Sequence, residues 1–254
     1  MDRSLQTIQA VSGLAFSTFS ILHVGGHTLA TFSFALADSA LFGLREYSQN
    51  PFVEIGVIGG SLITHVMASA AIYWRRRAKA RALNQKSENG GVGQDAAPPT
   101  ADAGSKVLSV AASERRLHRT TGLILGVFVF GHVYATRIAP LLVLPDPTII
   151  DLTYITHTLS QHPIVGYTYL LVFGASGLYH SLYGVHQSLS LLGALPPHRR
   201  VRPGTWHKVA VGLGVAVGVA SLAMGGMFER IDVPRRESWE AVEAGMLAPW
   251  SLRG

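Results

Sequence analysis

Eleven histidines and no cysteine stand among the 254 residues, so any metal chemistry in this chain falls to imidazole or carboxylate. Disulfides, cysteine-held iron–sulfur clusters, zinc–thiolate sites and thiol catalysis are excluded. Four of the histidines, His23, His65, His132 and His180, lie inside long stretches that hold no Asp, Glu, Lys or Arg. An ionisable side chain in an apolar span is costly and marks a functional site by default. The chemistry that suits such a set is axial ligation, because a b-type haem takes two neutral imidazoles from different helices at one depth. The plain alternative for any one of them is an interhelical hydrogen bond worth about 1 kcal/mol. Four at related positions keep haem ligation, or its structural remnant, in view.

Depth sorts them into pairs. His132 follows Arg119 by 13 residues, about 20 Å of helix, and an internal repeat puts His23 at the same level, so these two could share one iron. His65, 11 residues past Glu54, and His180, 17 past Pro163, lie about 16 and 25 Å in from the opposite side and form the second pair if tilt absorbs the difference. The propionates of the first haem would point toward Arg45 and Arg137. His27, one turn from His23, is a reserve ligand or a polar packing residue. His118, His157, His162, His186, His198 and His207 lie nearer the interfaces, where a solvated histidine needs no explanation.

The elements that must position these residues follow from charge. The net charge is +6, and the charged residues leave 4–37, 55–74, 120–136, 152–198 and 209–228 empty. A bilayer core of about 30 Å takes about 20 helical residues, so the chain reads as all-α with five transmembrane helices over 8–34, 55–74, 119–142, 165–192 and 208–228. From 84 to 113 the composition is Gly, Ala, Ser, Pro and scattered charge, which cannot bury a core and predicts a disordered linker. The organisation expected is a first repeat (1–83), that linker, a second repeat with the fifth span (114–228), and a tail (229–254). The tail carries Trp239, Val242 and Met246 at helical spacing, consistent with a short interfacial helix or a frayed end. Lys and Arg number fifteen on the linker side and six on the other, so the linker side should face the cytosol or matrix. Met1 to Gln9 runs straight into the first span, which reads against an amphipathic transit peptide. That leaves the outer mitochondrial membrane, an endomembrane, or an inner membrane reached by internal signals. The basic residues flank apolar runs rather than forming a nucleic-acid-binding face, and no hydrolase, kinase or dinucleotide motif is present.

A shift of 109 residues superposes Ser12-Gly13-Leu14 on Thr121-Gly122-Leu123, Phe19 on Phe128 and His23 on His132. Gln49-x-Pro51 recurs as Gln161-x-Pro163, followed by His65 and His180 out of register by three, with Ser69 and Gly184 one turn on. These matches predict a duplicated helical hairpin whose copies run in parallel. Small-xxx-small pairs such as Gly122 and Gly126 would allow close helix packing or room for a flat cofactor.

With these residues the chain resembles the fungal mitochondrial outer-membrane adaptor proteins with a duplicated transmembrane domain. The strings that carry the resemblance are Ser12-Gly13 with His23, Arg45-Glu46-Tyr47-x-Gln49-x-Pro51, Leu117-His118-Arg119-x-Thr121-Gly122, Gly131-His132-Val133-x-Ala135-Thr136-Arg137 and Tyr179-His180-x-x-x-Gly184. The resemblance implies a multi-pass, non-enzymatic outer-membrane protein of lipid homeostasis. It also implies contact with membrane lipids, recruitment of a bridge-like lipid-transfer protein at organelle contacts, and scrambling of phospholipids. The arrangement also looks like the di-haem membrane anchors of succinate dehydrogenase and fumarate reductase. That likeness implies the alternative of a cytochrome with one or two haem b groups, exchanging electrons with a quinone.

Overall fold

The structure, a computed structural model, describes residues 3–89, 103–147, 150–199 and 201–234, with positions 237, 239, 240, 242 and 244. Among the described residues it is helical, with no strand. Helix α1 (Arg3–Thr28) is followed by α2 (Phe34–Ser48), a π-helical turn (Phe52–Gly59) and α3 (Gly60–Asn89). The second half again sets short helices between two long ones, with its π-helical stretch moved: α4 (Ala103–Val133) passes through Tyr134–Ile138 into α5 (Ala139–Val143), then α6 (Leu152–Gln161), α7 (Pro163–Leu191) and the added α8 (Thr205–Met224).

Local chemistry sets the boundaries. Ser33 caps α2 by accepting from the Leu36 amide, and Asp151 caps α6 by accepting from Thr153. The Leu152 amide donates to Asp38 Oδ1 at 3.1 Å, which ties α6 to α2. Pro163 opens α7, where its missing N–H costs nothing. Before α8 the chain turns through Gly204 at φ 92°, a left-handed conformation that favours glycine. The first-turn amides of α8 are met from another helix: Glu114 Oε1, 4% exposed as a residue, accepts from Gly204 N at 2.8 Å and Trp206 N at 3.1 Å. At the opposite end Glu229, just past α8, accepts from the Phe34 amide at 2.8 Å, just past α1.

These two links fix direction. The start of α8 lies beside the N-terminal half of α4, and the end of α8 lies beside the end of α1. Helix α7 packs on α1, α4 and α8, and its 29 residues run about 43 Å between the two ends.

Four stretches are long and apolar enough to cross a membrane: Arg3–Thr31, Phe52–Gln85, Leu108–Val143 and Thr205–Met224. The sequence predicts five, and α7 does not meet that apolar measure. The reason lies in its neighbours: Ser176, Tyr179, Ser181 and Tyr183 on α7 are buried against protein, so α7 needs less apolar surface than a helix facing lipid. The linker differs from its expected disorder at both ends. Helix α3 runs on to Asn89 and α4 begins at Ala103, while 90–102 lie outside the described residues. Gln85, Lys86 and Glu88 in α3 and Ala103, Lys106 and Leu108 in α4 form helix without needing a core, which a composition argument about burial does not weigh. In the tail, Trp239 and Val242 are fully buried among Ala139, Leu144, Ile150 and Tyr154, whereas Met246 lies outside the described residues.

Candidate histidine centre

Each half of the bundle builds the same seat for one imidazole. In the first, His65 of α3 donates from Nδ1 to the Gln9 carbonyl of α1 at 3.0 Å. In the second, His180 of α7 donates from Nδ1 to the His118 carbonyl of α4 at 3.0 Å. A carbonyl only accepts, so the proton on each ring is assigned to Nδ1. Gln9 and His118 are 109 residues apart, the same shift that relates the first and third predicted spans. The ring then crosses a glycine. A Cβ at Gly13 would come 2.8 Å from His65 Nδ1, and one at Gly122 would come 2.7 Å from His180 Cε1. Beside them Ser12 Oγ bonds back to the Ile8 carbonyl at 2.7 Å, and Thr121 Oγ1 to the His118 carbonyl at 2.9 Å. One turn past each ring the copies compensate: Gln9 donates to Ser69 at 2.8 Å, while Gly184 leaves room for the larger His118 side chain. The three-residue offset between the halves is therefore confined to the helix starts and does not reach the seats.

The structure brings together both expected pairs. Ring centroids of His23 and His132 are 6.0 Å apart, and those of His65 and His180 are 6.2 Å apart. The pairs are differently surrounded. His132 Nδ1 lies 3.1 Å from the Tyr169 hydroxyl, and His23 stacks on Phe19 with His27 edge-on at 4.8 Å. A cavity of about 70 Å³ opens beside them, lined by His23, His27, His132, Tyr169, Phe173 and Ser221 among others. His27 Nδ1 is buried there without a hydrogen-bond partner among the described residues.

His118 corrects its expected place near a wet interface. It stacks on His180 with centroids 4.1 Å apart and planes 11° off parallel. Its side-chain role is a packing role that the sequence reading missed, although the 109-residue shift onto Gln9 was a usable signal. His157 packs against Trp239, and His186 accepts from the Val201 amide at 3.2 Å.

The two arginines sit beyond the His23–His132 end of the bundle. Arg137 forks onto Glu54, with its second bond at 2.9 Å, so its guanidinium is engaged by a carboxylate. Arg45 lies over the Phe42 ring at 5.5 Å, and burial lowers its pKa while Asp151 and Asp38 oppose the shift. No group of three or more His, Asp or Glu that could hold a bare metal ion occurs among the described residues. The arrangement offers paired imidazoles rather than a cation cage.

No curated protein matches the chain, and no solved structure matches it, so the likeness to the di-haem anchors is not confirmed. A family match falls on the second half of the bundle, from within α4 to the buried Trp239. Residues 127–239 match the family described as MDM10-complementing protein 1, transmembrane domain, which supports the mitochondrial outer-membrane adaptor family that the sequence resembles.

Proposed function

We propose that this membrane protein acts in lipid homeostasis at the mitochondrial outer membrane, at organelle contact sites, as an adaptor for a bridge-like lipid-transfer protein. The observation that carries the reading is the family match over 127–239. The exposed Ile63, Met67, Leu123 and Val127 on α3 and α4 suit contact with lipid. Helix α7 acts as a fifth crossing, screened by α1, α4 and α8.

The test is loss and restoration in a fungal cell. Deleting the gene should change the phospholipid composition of purified mitochondria, and re-expressing the full chain should restore it. A tagged chain should co-fractionate with outer-membrane markers and lose a linker-borne tag to protease on intact mitochondria. Unchanged lipids in the deletion strain would refute the role, and a tag protected until the outer membrane is ruptured would refute the location. Scrambling is a separate arm: fluorescent lipid in proteoliposomes should become fully accessible to a quencher. Inner-leaflet protection equal to that of empty vesicles would remove that activity.

A further inference from the structure

We infer that His65 and His180 are the axial ligands of one b-type haem, held by the seats that the two halves of the bundle build. This inference is independent of the lipid reading.

The residues present fit such a group on four counts. First, the rings come from two different helices, with centroids 6.2 Å apart and planes at 83°. Two metal–nitrogen bonds of about 2 Å, plus about 1 Å from each ring centre to its nitrogen, place opposed imidazoles about 6 Å apart. Second, both Nδ1 atoms are spent on main-chain carbonyls at 3.0 Å. That bond is how ligating histidines are oriented, because it fixes the tautomer and leaves Nε2 as the ligand atom. No hydrogen bond to Nε2 of either ring is found among the described residues. Third, Gly13 and Gly122 lie under the rings where a Cβ would come within 2.8 Å and 2.7 Å of a ring atom, so both seats are cut to hold an imidazole close to the neighbouring backbone. Fourth, although His118 stacks on His180, no group of three His, Asp or Glu that could hold a bare ion occurs among the described residues, and a macrocycle that brings its own nitrogens asks for two ligands only.

The other pair is less well prepared. His132 Nδ1 meets a hydroxyl on a rotatable side chain, and among the described residues no main-chain carbonyl orients His23. The ligand role thus falls to the second pair, whereas the sequence reading allowed each pair an iron. When bound, haem b supplies one-electron transfer. This chain's own residues fix the tautomer of two imidazoles and aim them; His118 is a positioning residue that orients His180 through its carbonyl and stacks on its face.

The experiment is the reduced-minus-oxidised spectrum of the full chain, purified in detergent after expression with haem supplementation. Expected are a b-type alpha band and one haem per chain by pyridine haemochrome. H65A and H180A should each lose the band while eluting from gel filtration like the parent. H180M, which swaps one imidazole for a thioether, should keep haem and raise its midpoint potential. H23A and H132A should keep the band. No band in the parent protein, or a band that survives H65A and H180A, overturns the inference. A band lost in H23A or H132A but kept in H65A moves the site to the other pair and overturns it equally.

Discussion

One added carbon separates a working seat from a broken one at Gly13 and Gly122. The Cβ of alanine would stand 2.8 Å from His65 Nδ1 or 2.7 Å from His180 Cε1, inside any ordinary contact. The rings cannot back away without giving up their 3.0 Å bonds to Gln9 and His118. Gly13→Ala and Gly122→Ala should therefore each destabilise the protein by about 1–3 kcal/mol, the usual cost of overpacking. Gly126→Ala is the control, since its Cβ would meet nothing within 4 Å. It should gain up to about 1 kcal/mol from helix propensity. Thermal unfolding in detergent reads all three, and a Gly13→Ala protein as stable as Gly126→Ala would show that the seat is soft. The four histidines were legible in the sequence because charge-free stretches make a lone imidazole conspicuous. The carbonyls of Gln9 and His118 were not, since every residue has one and only packing says which of them is aimed at a ring.

Elements hold together here through contacts that sequence periodicity does not display. Glu114 immediately precedes the basic run Arg115-Arg116-Leu117-His118-Arg119, where a carboxylate reads as part of a solvated, charged helix end. In the structure it reaches across to finish the first turn of α8. Glu114→Ala should cost about 2–3 kcal/mol, because two charge-assisted bonds go and two amides are left without partners. Glu114→Gln, which keeps an acceptor oxygen, should cost less. Falling unfolding temperature in that order, with faster protease cleavage in the 193–204 loop, is the expected result; equal stability of Ala and parent would mean that water takes over the cap. Trp239 makes the same point for the tail. Fully buried against Tyr154 and His157, it clamps the segment after Pro234 onto the α4–α6 connection. Trp239→Ala should free that segment to protease while the bundle stays resistant, and an unchanged digest would show that the clamp holds without it. Long helices were legible from charge alone. The short α2 and α6 were not read from it, although both end on the recurring Gln-x-Pro, because their caps come from Ser33, Asp151 and the distant Asp38.

For the whole molecule the quantity to decide is the number of crossings, and the helix that decides it is α7, which falls short of the apolar measure that the other four long helices meet. Hydropathy counts what a side chain would prefer if it faced lipid, yet α7 packs on α1, α4 and α8. Its buried tyrosines and serines meet protein, so hydropathy alone does not test whether it crosses. The links at the two ends of α8 argue for five crossings. Glu114 sets the start of α8 beside α4 on the linker side, and Glu229 sets its end beside the end of α1. For α4 and α8 to run in the same direction, α7 must return across the full height between them. The chain contains no cysteine, so single introduced thiols report topology against an empty background. Ser39 on α2, Ala80 on α3 and Glu240 in the tail are all exposed and suit replacement. In sealed membranes treated with an impermeant maleimide, Ser39→Cys and Glu240→Cys should label from one face and Ala80→Cys from the other. A chain in which α7 does not cross would carry its tail to the opposite face. Glu240→Cys would then label together with Ala80→Cys, and the bundle would have to be redrawn with four spans.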